Sequence, residues 1–188
     1  MFFKNKKIVV TGGSGFVGTN FILELLERDA NIITHTHIRP MEIQDERIKV
    51  IENIDLFKLE DCMKLLDGAD YVIHCGGYIT NPSEVRTNVQ VLLHNITSTG
   101  NVLEAAGKCG LKGYLDINSS TGYPDKRYPI KENQYWEEEP YEAYFGYGWM
   151  RRYREKLMEF VSGFSDLKIG LGRATALFGP YDNFNPKT

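Results

Sequence analysis

A doubly wound α/β domain, a parallel sheet covered by helices on both faces, is the fold class this sequence predicts, on three observations. Apolar runs of strand length alternate along the chain with amphipathic segments of helical spacing. Three glycines at intervals of three, Gly12, Gly15 and Gly18, fall where the first apolar run gives way to the first amphipathic segment. A polar, turn-rich stretch over 121–140 follows the fifth run, where such a sheet presents its carboxyl edge and takes its ligands.

Each element has a local reason. Residues 7–11 (KIVVT) read as a buried strand, and 16–28 as a helix with Phe21, Ile22, Leu25 and Leu26 on one face. Short strands are predicted over 31–34 and 48–51, then a helix over 59–66 and a fourth strand over 71–75 (YVIHC). A long helix over 89–107 precedes a fifth strand over 113–118 (GYLDIN). A helix over 144–161 and a sixth strand over 167–171 complete the pattern. Strand–helix–strand units of this kind cross over right-handed, which makes the sheet parallel.

Composition narrows the class. The chain has 188 residues, 42% hydrophobic and 25% charged, enough for one domain with its own core. With 22 basic against 25 acidic residues the net charge is −3, which argues against a nucleic-acid binder that relies on a basic field. The three cysteines are odd in number and lack CxxC spacing, and the four histidines lack ligand spacing, so neither a disulfide framework nor a metal site is expected. No apolar run approaches the ~18 residues of a membrane span, and the first is too short for a secretion signal. A cytoplasmic protein with no membrane partner is the expectation.

The glycines supply the first chemistry. Gly12 permits a tight turn, Gly15 lets the backbone approach a pyrophosphate, and Gly18 lets helix and strand pack closely, the fingerprint of a Rossmann dinucleotide site. The helix that follows offers the N–H groups of Phe16 and Val17 and the positive end of its dipole. An acidic residue closing the second strand would suit the ribose of NAD; here His35-Thr36-His37-Ile38-Arg39 contains none. Arg39, aided by His35 or His37, therefore points to NADP, with NAD as the alternative and a solvated loop as the plain structural reading.

Tyr147 and Arg151 stand four apart on a predicted helix and share a face. A tyrosine is a weak acid–base near neutrality, and a cation beside it favours the phenolate. Ser119 and Ser120, just past the fifth strand, lie at the same edge, where a hydroxyl can hold a substrate oxygen. Packing for the tyrosine and turn capping for the serines are the competing readings.

Together these residues resemble the extended short-chain dehydrogenase/reductases, in the NAD(P)-dependent epimerase/dehydratase family. TGGSGFVG is similar to the family's TGxxGxxG, and Asp55-Leu56 to its adenine-contacting pair. His74-Cys75-Gly76-Gly77 is similar to HxAA, Asn95 to the helix asparagine, and Leu177-Phe178-Gly179-Pro180 to YGP. The nearest pattern is that of GDP-fucose synthase-like nucleotide-sugar epimerase/reductases, through Tyr123-Pro124, Phe145-Gly146-Tyr147 and the run from Phe178 to Asn185. The resemblance implies a nucleotide-sugar substrate, with Tyr147 as proton donor, Ser119 orienting the sugar and Thr121 beside it. It implies cofactor contacts from Gly12, Gly15, Phe16, Val17, Gly18, Arg39, Asp55, Leu56, Gly76, Gly77, Asn95, Tyr147 and Arg151. It also implies a Rossmann domain over 1–172, the start of a substrate domain over 173–188, and a homodimer through the two long helices, where Leu92, Leu93, Tyr153 and Met158 look exposed but could equally be core.

Three residues depart from the pattern. Arg151 replaces the family lysine with a larger, planar cation. Thr121 stands where the synthases have an acid–base cysteine, and Ala176 where an asparagine precedes YGP. The departures keep a second function open, a non-catalytic NAD(P)-binding module or sensor subunit.

Overall fold

In the computed structural model, residues 2–36, 39–78 and 88–182 are described. Six strands form one parallel sheet: β1 (Lys7–Thr11), β2 (Asn31–His35), β3 (Ile48–Ile51), β4 (Tyr71–His74), β5 (Gly113–Ser119) and β6 (Lys168–Ala174). Their order is β3-β2-β1-β4-β5-β6. The chain thus builds outward from β1 in one direction through β3, then returns to start the other half with β4. The β1/β4 junction is the topological switch point, where the connections leaving the two strands diverge and open a crevice.

Helices α1 (Phe16–Leu26), α2 (Leu59–Leu66), α3 (Val89–Lys108) and α4 (Phe145–Ser162) cover the sheet. Alternation along β1 divides the core. Val9 enters one cluster with Val72, Leu65, Leu103, Tyr114 and Met158, beneath α2, α3 and α4. Ile8 and Val10 enter the other, with Ile22, Leu25 and Leu26 of α1. Both faces of the central strand are buried, which is why its sequence is a continuous apolar run rather than an alternating one.

Several boundaries differ from expectation. Helix α1 stops at Leu26, two residues early, because Asp29 adopts φ 59° and the Ala30 N–H turns back to the Leu25 carbonyl. Strand β6 begins at Lys168 and runs to Ala174 instead of ending at 171, since its partner β5 extends to Ser119 and pairs with it there. Met158 is core, not surface, and Leu92 is half-buried, while Leu93 and Tyr153 are exposed. The stretch over 121–140 is less open than its polarity suggests. Short 3₁₀ turns form at Ser120–Gly122 and Glu132–Trp136, and Tyr135 is completely buried with the Arg173 guanidinium 3.7 Å from its ring centre. No helix among the described residues is long and apolar enough to cross a membrane.

Candidate cofactor and acid–base site

The backbone leaves β1 through Gly12 at φ 66°, a left-handed conformation. A β-carbon there would lie 2.9 Å from the Gly76 backbone beyond β4, so the closeness of the two loops also demands glycine. Gly15 donates its N–H to the Gly12 carbonyl at 2.9 Å and caps α1 without a side-chain acceptor; the first turn carries no acidic residue. The N–H groups of Phe16, Val17 and Gly18 therefore have no intrahelical acceptor and face the crevice end of α1 with the positive end of its dipole. A β-carbon on Gly18 would collide with the Gly12 carbonyl.

A buried hydrogen-bonded chain holds the neighbouring loop. Thr11 Oγ1 accepts from the Gly76 N–H at 3.0 Å and lies 2.7 Å from His74 Nδ1. His74 Nε2 lies 3.3 Å from Thr99 Oγ1 on α3. Asn95, also on α3, donates from Nδ2 to the carbonyls of Tyr78 and Val91 at 2.9 and 2.7 Å. A β-carbon on Gly77 would lie 2.9 Å from Asn95 Oδ1, and one on Gly76 would lie 3.1 Å from Leu56. The structure thus brings Gly12, Leu56, Gly76, Gly77 and Asn95 to one edge. Asp55 differs: its Oδ1 accepts from the Phe57 N–H, within the turn that leads into α2. Arg39 is exposed, and His37 lies outside the described residues. His35 is no solvated loop residue; it closes β2, is buried, and accepts the Gly12 N–H at Nε2 over 3.3 Å.

On α4, Arg151 Nη2 donates to Tyr147 Oη at 2.6 Å, and its guanidinium carbon lies 4.7 Å from the tyrosine ring centre. Burial lowers the Arg151 guanidinium from its ordinary value, and the tyrosine oxygen opposes that shift. Gly148 brings this pair to the β5 edge: a β-carbon there would stand 2.7 Å from the Thr121 carbonyl and 2.5 Å from Pro140. Ser119 Oγ accepts from both the N–H and the hydroxyl of Thr121 at 3.3 Å, so the two candidate hydroxyls are partners of one another in a capped turn. Beyond β6, Ala176 is exposed; the chain then returns over α1, where Asn20 Nδ2 donates to the Pro180 carbonyl at 2.9 Å.

Sequence reasoning missed the polar seam beneath α4. Glu155 takes two bonds from Arg173, at 2.9 and 2.8 Å, and one from Asn118 Nδ2 at 3.0 Å. Asp116 accepts from Arg154 at 2.5 Å, both fully buried. The signal was present: Asp116 and Asn118 are polar at alternate positions of a strand whose two faces are both covered.

The fold and this edge define a doubly wound, Rossmann-type α/β protein with a glycine loop at its switch point. Within that class, residues 8–188 match the model of the NAD dependent epimerase/dehydratase family, and the chain belongs to that family. It is 25% identical over 187 residues to GDP-mannose 3,5-epimerase of Arabidopsis thaliana, across 95% of this chain and 48% of that protein. It is 28% identical over 195 residues to a probable GDP-L-fucose synthase of Drosophila melanogaster, across 97% of this chain and 54% of that protein. Among solved structures, MoeE5 in complex with UDP-glucose and NAD superposes with a TM-score of 0.78 at 22% identity, across 94% of this chain and 56% of that one. The chain spans about half the length of the curated relatives it matches.

Proposed function

We propose that this chain carries the cofactor-binding and acid–base half of an NAD(P)-dependent epimerase or reductase of nucleotide sugars. The observation that carries the reading is the Arg151–Tyr147 hydrogen bond, on a helix that Gly148 seats against the Ser119–Thr121 turn. The cradle fits a dinucleotide: a β-carbon would fill the Gly12–Gly76 gap, and the α1 N-terminus has donors without intrahelical acceptors. When bound, the nicotinamide supplies or accepts hydride at a sugar carbon. Tyr147 Oη moves the accompanying proton at the sugar oxygen, giving it as a carbonyl is reduced and taking it as a hydroxyl is oxidised. Arg151 donates to the same Oη and stabilises negative charge that develops on it. Ser119, whose Oγ accepts from Thr121 and keeps its own hydroxyl hydrogen to donate, holds the sugar oxygen in line.

NADP is the favoured cofactor, through Arg39 and the absence of a carboxylate in residues 35–39, with NAD as the alternative. A cytoplasmic homodimer acting on a nucleotide sugar, with neither nucleic acid nor membrane as partner, completes the reading. A non-catalytic NAD(P)-binding module is the second reading, favoured by Thr121, whose hydroxyl already bonds Ser119. The test has two parts. Titration with NADPH and with NADH, followed by nicotinamide fluorescence, is expected to show binding that favours NADPH; binding of neither sinks both readings. Tyr147→Phe, in a chain that turns over a GDP- or UDP-sugar, is expected to lose about 100-fold or more in kcat with cofactor affinity kept. Unchanged activity favours the module.

A further inference from the structure

Arg154, less than one turn past Arg151 on α4, holds a buried carboxylate. Asp116, in the middle of β5, accepts at Oδ1 from Arg154 Nη2 over 2.5 Å, and Tyr114 Oη lies 3.5 Å from the same oxygen. Its other oxygen, Oδ2, is buried without a protein partner, as are Nε of Arg151 and Nε of Arg154. Arg151 lies in the field of both groups: Asp116 attracts it and Arg154 repels it. Further along the seam Glu155 is held by Arg173 and Asn118, and beside Asp116 stand His74 on β4, Cys75 beyond it and Tyr114 on β5. Burial holds His74 well below its ordinary value, and so neutral, and raises Cys75 and Tyr114 above theirs. Two cations thus face one acid in a medium where each pairing is strong.

We propose that Arg154 is a positioning residue for the Tyr147–Arg151 pair: by holding Asp116, it leaves the Arg151 guanidinium to the tyrosine oxygen. A carboxylate stripped of Arg154 has unsatisfied oxygens within the field of an arginine whose Nε also has no partner. A charge-assisted ion pair is stronger than a guanidinium–phenol bond, so Arg151 turns toward β5 and away from Oη. The inference rests on the reading of Tyr147 as the acid–base group, but its geometry is measurable without cofactor, substrate or turnover.

The test uses the whole chain with tyrosine labelled at Cζ, whose resonance reports hydrogen bonding at the phenolic oxygen. Tyr147→Phe assigns the signal, and Arg151→Met marks its position when the contact is absent. Arg154→Leu is expected to move the Tyr147 resonance to the Arg151→Met position. Arg154→Lys, which keeps the charge on Asp116, and the double variant Asp116→Val/Arg154→Leu, which removes the competitor with it, are expected to keep the parent position. The proposal is overturned if Arg154→Leu leaves the resonance in place, or if the double variant fails to restore it. Should Arg154→Leu not fold, Asp116→Asn decides: the parent position is expected, and a shift to the Arg151→Met position makes Asp116 an anchor of Arg151 and refutes competition. A chain that behaves this way yet never turns over a nucleotide sugar counts against the proposed function alone.

Discussion

Both ring nitrogens of His74 are engaged: Nδ1 lies 2.7 Å from Thr11 Oγ1, which also accepts from the Gly76 N–H, and Nε2 lies 3.3 Å from Thr99 Oγ1. Burial holds this histidine well below its ordinary value of 6.5, and the nearby guanidinium of Arg154 adds to the effect. The folded state therefore stays unprotonated where the unfolded chain takes up a proton. Stability attributable to this residue is intact above about pH 6.5 and falls below it, by up to about 1.4 kcal/mol per pH unit. Urea unfolding of the parent and of His74→Gln, compared from neutral pH downward, is expected to show the steeper acid loss in the parent. Parallel slopes would mean that His74 is charged in the folded state. The cost of burying a neutral imidazole here is met by three hydrogen bonds that fix the loop opposite Gly12.

At the scale of elements, α4 is seated by a glycine at its start as well as by the apolar contacts of Leu157, Met158 and Val161 further along. Gly148 meets Pro140 and the Thr121 carbonyl at distances no side chain tolerates, whereas Gly107, near the end of α3, faces open space. Alanine at the two positions should have opposite effects. Gly148→Ala is expected to cost about 1–3 kcal/mol in urea unfolding, through overpacking that lifts α4 from the turn. Gly107→Ala is expected to stabilise by up to about 1 kcal/mol, through helix propensity alone. Equal effects would show that the α4 contact with the turn is not a constraint. The same helix is tied to β6 and to the 121–140 stretch by Arg173, which bonds Glu155, Tyr123 and the Glu132 carbonyl. Breaking such a buried pair on one side leaves an uncompensated charge, so these elements are coupled to the position of Tyr147.

For the whole molecule, the outer faces of α3 and α4 leave Val89, Leu93, Phe145, Trp149 and Tyr153 exposed, the last three at intervals of one helical turn. Apolar side chains grouped in this way are the kind of surface that a partner covers. A dimer with these helices at its interface is expected in sedimentation equilibrium, and Tyr153→Glu is expected to shift it to monomer. A parent chain that remains monomeric at every concentration refutes the dimer. Phe178, Leu177 and Tyr181 form a separate exposed apolar group beyond β6, at the end of the sheet where the glycine loop lies.

The order of elements, the parallel sheet and the glycine cradle were legible in the sequence because they rest on local periodicity and on residues with few backbone alternatives. Gly12 at φ 66° and the buried run Ile8–Val10 need no tertiary knowledge to be read. The spacing of Tyr147 and Arg151 likewise follows from helix geometry alone. Strand ends, the burial of Met158 and Tyr135, and the partners of Asp116, Asn118, His74 and His35 were not legible. Each depends on a residue distant in the chain: Arg154 for Asp116, Thr11 and Thr99 for His74, Gly12 for His35. A polar residue in a buried strand announces that a partner exists, but only the packed structure selects which one. Hydrogen bonds and ion pairs in a low-dielectric interior are made between surfaces that meet only after the chain has folded.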